Sequence, residues 1–206
     1  RPVPPSPLHN ALKRMETSPK PFIAALNGVT MGGGFEIALG CDIRIAEAGE
    51  YQIGLPEANI GLLPGAGGTQ RLPRLIGVQE ALPLILQGKS FNAEKAHKMG
   101  VVNELAPKSD TVAKCKAWIK ANPDAKAPWD EKGFKMPGGV VHRAPGAGQV
   151  ATMSNAMLAA KTYGNYPAQK NILSCVYEGT QVPIDAGLRI ETRYFINTQQ
   201  RPEAKA

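Results

Sequence analysis

Between residues 22 and 105, short apolar runs alternate with helix-periodic stretches, and glycines mark most of the junctions. Runs of that length suit buried strands, and strands separated by helices pair in parallel, so the alternation predicts an α/β fold. Phe22–Leu26 is the first run and closes on Asn27-Gly28, a turn signal. VTMGGG then leads into FEIALGCD, a helix opened by glycines. Ile43–Ala46 and Tyr51–Gly54 read as further extended pieces, and IGLLPGAGG (60–68) as a glycine-rich loop. Thr69 is expected to N-cap a helix over QRLPRLIG, and a second helix follows over 78–87. Ser90 is expected to cap the helix in FNAEKAHKMG, with Glu94 in its first turn and Gly100 as its stop. Val101–Leu105 reads as the last strand.

The pattern changes after Pro107. Residues 109–121 read as a helix, whereas 121–150 hold four Pro and five Gly and read as an irregular connector. Helix-like stretches follow near 151–163, 167–179 and 183–199, and no internal repeat is visible. The division is an α/β part over 1–107 and a helical, loop-rich part over 108–206. Ile172, Val176, Leu188, Ile190 and Phe195 are too few apolar residues for a separate core over 151–199. That segment is expected to pack back on the α/β part, with Lys161, Lys170, Arg189 and Arg193 in solvent.

Composition removes several classes of function. An apolar fraction of 43% is too high for a disordered chain, and 206 residues can bury a sizeable core. No run approaches the ~18 apolar residues of a membrane-spanning helix. The first twenty residues lack the order of a signal peptide. Cys41, Cys115 and Cys175 are scattered, so reduced thiols in a cytoplasmic setting are expected. The net charge of +7 is spread thinly, with no run of four basic residues. Aromatics are 6%. That suits a solvated basic surface better than a nucleic-acid groove, which stacks bases on aromatic rings.

Few residues can carry chemistry. The glycines of MGGGFE leave amides unshielded at a helix start, where an anion or a developing oxyanion can bind. The stretch lacks GxGxxG spacing, and PGAGGTQR (64–71) lacks the GK[ST] end of a P-loop. Glu36 follows the last glycine by two residues, and Glu57 lies twenty-one further on, after Leu55-Pro56. Two carboxyls brought together can activate a water between them, one accepting and one donating a proton. Spacing alone leaves open whether these two meet. Arg71 and Arg74 read either as anion ligands or as solvated helix-surface charges. His9, His97 and His142 are isolated from one another, no HExxH or GxSxG occurs, and no metal site is expected.

Taken in order, KPFIAALNGVTMGGGFEIALGCDIRIA, QIGLPEANIGLLPGAGGTQRLPRLIG and KAHKMGVVNEL resemble the crotonase superfamily, the enoyl-CoA hydratase/isomerase group. The resemblance covers roughly residues 8–107. The stretches AKAPWDEKGFKMPGG and NILSCVYEG…GLRIETRYF are similar to the connector of multifunctional fatty-acid oxidation enzymes, in which a 3-hydroxyacyl-CoA dehydrogenase part follows. The resemblance implies a crotonase-like ββα spiral and an acyl-CoA thioester substrate. It implies that Glu36 and Glu57 are catalytic, that Gly33 offers one oxyanion-hole amide, and that Gly65 helps hold the catalytic water. With both acids present, hydration of trans-2-enoyl-CoA is favoured, with or without isomerisation. Coenzyme A would arrive as part of the substrate, with no cofactor in this segment and NAD confined to the dehydrogenase part. Partners implied are another copy of the chain or that dehydrogenase part.

Measured against the family, the chain reads as an internal fragment that lacks the upstream strands and the second oxyanion amide. Loss of one such donor is expected to cost about 3–4 kcal/mol of transition-state stabilisation. Two rivals stand beside the hydratase reading. One is a non-catalytic segment that docks partner subunits. The other is an RNA-associated crotonase-like protein, supported by the +7 charge alone.

Overall fold

The computed structural model describes residues 6–204. Helix α1 (Pro7–Glu16) starts on Ser6, whose hydroxyl accepts the His9 amide at 3.1 Å, with Pro7 in the first turn. Then come β1 (Ile23–Leu26), β2 (Thr30–Met31), α2 (Gly33–Leu39), β3 (Ile43–Glu47) and β4 (Ile53–Gly54). After a 3₁₀ turn (Glu57–Ile60) follow α3 (Gly68–Ile76), α4 (Val78–Gln87), β5 (Ser90–Phe91), α5 (Ala93–Lys98) and β6 (Glu104–Ala106). The second part holds α6 (Thr111–Ala121), α7 (Pro145–Thr162), α8 (Pro167–Gly179) and α9 (Ile184–Gln199).

The strands form two three-stranded sheets, ordered β1-β3-β6 and β2-β4-β5. Successive passes of the chain lay one strand in each sheet, which is the ββα spiral. In the first sheet both pairings are parallel, with Ile23 opposite Ile43 and Ile45 opposite Glu104. The second corrects the expectation of parallel strands throughout. β2 and β4 run parallel, but β4 and β5 run antiparallel with Ile53 opposite Phe91.

Two helix starts also differ from expectation. Thr69 is not a cap: Gly67 holds that position at φ +104, and Thr69 lies inside α3 with its hydroxyl turned to another partner. A side chain at Gly67 would strain that backbone and collide with the Arg71 guanidinium. Nor does Ser90 cap α5, because it pairs in β5. Asn92 is the cap, its side chain accepting the Lys95 amide at 2.9 Å, and Glu94 accepts instead from Gly49 N–H.

One apolar cluster runs from the strands through the helices of both parts. It joins Leu26, Phe35, Ile53, Leu72 and Ile85 to Ile172 and Val176 of α8. Helix α6 covers the outer face of the first sheet through Cys115 and Trp118 against Ile43 and Ile45. Among the expected solvent-facing cations, Lys170, Arg189 and Arg193 are exposed, and the Lys161 side chain lies outside the described residues.

Buried arginines tie these elements together, so neither Arg71 nor Arg74 is a solvated surface charge. Arg71 lies flat against Glu16 of α1, with Nε–Oε1 at 2.7 Å and Nη2–Oε2 at 3.0 Å, and also donates to Ala66 O. Arg74 reaches from α3 to the carbonyls of Gly179 and Val182 at 3.0 and 2.8 Å, gripping the α8–α9 junction. Arg44 in β3 is fully buried and donates to Cys41 O and Ala38 O, carbonyls near the C-terminal end of α2, and to Val101 O. Burial pushes its proton affinity down to about 10, which leaves it charged at neutral pH.

Candidate active site

Helix α2 begins on Gly32, whose φ of +56 turns the chain from β2 into the helix. Its inner face carries Phe35, Ala38 and Leu39, and Glu36 shares that face with only 3% of its surface exposed. The Glu36 Oε1 atom accepts two amide hydrogen bonds, from Ala66 and Gly68, each at 2.8 Å. The glycine-rich loop and the start of α3 therefore close over Glu36. Glu57 opens the 3₁₀ turn after β4. A Cβ at Gly32 would lie 3.2 Å from Glu57 Oε1, so the start of α2 passes directly against the Glu57 carboxyl. Glu57 Oε2 is buried without a hydrogen-bond partner among the described residues.

Both carboxyls face one cavity of about 630 Å³. Among the described residues its ionisable lining groups are Glu36 and Glu57, and its walls include Leu8, Leu62, Leu63, Phe195 and Ile196. A smaller cavity of about 170 Å³, lined by His9, Lys13, Asp185 and Arg189 among others, contains neither glutamate. A mainly apolar wall with a few convergent polar groups is the ordinary make-up of a small-molecule site. Burial raises Glu36 to about 8, helped by the charges of Glu191 and Glu57 and opposed by the Gly68 and Ala66 amides. Burial likewise raises Glu57 to about 7, opposed by its own amide and helped by Glu191. Near neutral pH such a pair can hold one proton between them, which makes one member an acid and the other a base.

Gly33 is the first residue of α2. Its amide donates to no acceptor among the described residues; the residue is exposed and is not in the cavity wall. Gly65 lines the cavity with the glutamates, but the Phe195 ring of α9 packs on it, and an added Cβ would meet that ring at 2.5 Å. Among the described residues no group of three His, Cys, Asp or Glu side chains is arranged to hold a metal ion.

Sequence reasoning missed Glu191. It is fully buried in α9 and accepts from Gly67 N–H at 2.6 Å, Thr69 N–H at 3.1 Å and the Thr69 hydroxyl. A signal was present: the buried stripe of α9 runs Leu188, Glu191, Thr192 and Thr198, which puts a charge where helical spacing calls for an apolar residue.

Comparison with known proteins bears on this architecture. Residues 3–127 match the enoyl-CoA hydratase/isomerase family. A fatty acid oxidation complex subunit alpha from Shewanella halifaxensis is 36% identical over 200 residues, covering 96% of this chain and 28% of that protein. The chain thus spans little more than a quarter of such relatives. Among solved structures, an enoyl-CoA hydratase from Geobacillus kaustophilus shares 27% identity at a TM-score of 0.54, covering 96% of this chain and 60% of that one. One from Bacillus anthracis shares 28% at a TM-score of 0.52, covering 95% and 60%. With its ββα spiral, its glycine-led α2 and the family match across more than half its length, the chain belongs to the enoyl-CoA hydratase/isomerase, or crotonase, family.

Proposed function

We propose that the site hydrates trans-2-enoyl-CoA to 3-hydroxyacyl-CoA. The observation that carries this reading is the convergence of Glu36 and Glu57 on one largely apolar cavity, both with proton affinities raised toward neutrality. In the reaction, water oxygen bonds to C3 of the enoyl group as a carboxylate takes its proton. A neutral carboxyl delivers a proton to C2, and the thioester oxygen carries the charge in between. The Gly33 amide, unpaired at the start of α2, is the donor for that charge. Gly65 borders the space where the water would stand. The chemistry asks for no metal and no redox cofactor, and coenzyme A enters as part of the substrate.

The names and lengths of the curated relatives support placing this activity in a longer fatty-acid oxidation enzyme, where NAD would belong to a separate dehydrogenase part. Association with that part or with a second copy of the chain, in the cytoplasm, goes with the same reading. Among the described residues no helix is long and apolar enough to cross a membrane.

The test is loss of the conjugated enoyl-thioester absorbance on adding the chain. Glu36→Gln and Glu57→Gln should each lower kcat by about 10²–10⁴. The rate should be greatest near pH 7–8, where the pair holds a single proton. A second reading, a non-catalytic docking segment, is favoured by the Phe195 ring seated on Gly65. Absence of turnover both in the parent chain and in Phe195→Ala would select it.

A further inference from the structure

Four successive amides at the entrance to α3 are divided between two buried carboxyls. Ala66 and Gly68 donate to Glu36, each at 2.8 Å. Gly67 and Thr69 donate to Glu191, at 2.6 and 3.1 Å. The turn passes through Gly67, whose φ of +104 is a left-handed conformation that glycine adopts without strain. Those of Gly67, Gly68 and Thr69 are amides a helix start leaves without intrahelical partners, Ala66 just precedes the cap, and the two glutamates satisfy all four. Neither carboxyl can shift without dragging the loop that holds the other.

We infer that Glu191 is a positioning residue of the hydration site, fixing through the 66–69 amide row where the Glu36 carboxyl stands. The inference rests on the hydratase reading for its chemistry, though its geometry does not. Glu191 is not in the cavity wall, so it acts through the loop rather than on substrate. It is itself held from a second side. His9 Nε2 of α1 lies 3.1 Å from Glu191 Oε1, and His9 Nδ1 lies 3.2 Å from the Thr192 hydroxyl. Helices α1, α3 and α9 thus meet on one carboxyl. The other ionisable groups around it are Glu36 from α2, Glu57 from the 3₁₀ turn, and Cys175 from α8 through the Thr69 hydroxyl at 3.2 Å. Arg71 of α3, already paired with Glu16, packs against Gly67, whose amide donates to Glu191. The Glu191 charge raises the proton affinity of both cavity glutamates, as such a placement requires. The family match ends at residue 127, yet α9 supplies a group on which the site depends.

The experiment is Glu191→Gln in the full chain, read by carboxyl ¹³C NMR titration of labelled glutamate and by kinetics. Removing the charge should move the Glu36 and Glu57 titrations to lower pH. It should lower kcat about tenfold or more with KM within about twofold, since no substrate contact is lost. A folded Glu191→Gln chain with unshifted titrations and unchanged kcat overturns the inference. If that variant does not fold, Thr69→Val, nearly isosteric, removes one donor to Glu191. It should lower kcat several-fold at constant KM, and wild-type kcat there overturns the inference equally. Glu36→Gln separates the two readings. Full turnover in that variant sinks the hydratase reading, while the Glu36 titration in Thr69→Val, where no charge is removed, still tests the positioning on its own: a shift supports it and an unshifted titration overturns it.

Discussion

Glu36 shows how one residue can link stability to pH. Burial holds its folded value at about 8 against an ordinary 4.5, so the folded chain keeps a proton that the unfolded chain releases. Its contribution to stability is therefore full below pH 4.5 and is lost as pH rises through 8. The slope cannot exceed about 1.4 kcal/mol per pH unit for one group. Glu57, raised to about 7, acts in the same direction. Thermal unfolding at pH 5 and pH 9 should show a clear fall in the midpoint for the parent chain and a smaller fall for Glu36→Gln. Equal falls would mean that Glu36 is not desolvated as its burial indicates. At Gly32 the constraint is conformational: alanine would have to adopt φ +56 and would press on Glu57 Oε1. Gly32→Ala should cost about 1–2 kcal/mol and disturb the Glu57 carboxyl, measured as a lower denaturation midpoint together with a shifted Glu57 titration.

Among the elements, the helix caps separate what is local from what is not. Asn92→Ala should cost about 1 kcal/mol in chemical denaturation, because it removes the acceptor for Lys95 N–H. Ser90→Ala should cost much less, since Ser90 is a strand residue that caps nothing. Cap candidates are readable as residue types. Which of two neighbours is used depends on where the strand stops, and that is set by β5 finding β4. The α8–α9 junction is tied to α3 by the Arg74 guanidinium. Arg74→Met would leave the carbonyls of Gly179 and Val182 without their donor, at a cost of about 2–4 kcal/mol. Hydrogen exchange should show α9 losing protection before α3.

At the scale of the whole molecule, the helical segment and the α/β part share one apolar cluster. Ile172 lies in it fully buried, and Ile172→Ala should cost about 2–5 kcal/mol. The loss should appear in a single unfolding transition. Two transitions, with the strands melting apart from α7–α9, would show instead that residues 145–199 form their own cooperative unit. The sequence was informative where the controlling physics is local. Hydrophobic period set the α/β order and the late helices, glycine chemistry set the start of α2, and the ordered motifs singled out Glu36 and Glu57. Tertiary structure alone decided the antiparallel β4–β5 pair, the burial of Arg71 and Arg74, and the seating of Phe195 on Gly65. It alone also brought Glu191 to the amides of Gly67 and Thr69, more than 120 residues earlier in the chain. A buried charge is stable only where the folded chain supplies its donors, and no pattern within α9 reveals that those donors lie at the start of α3.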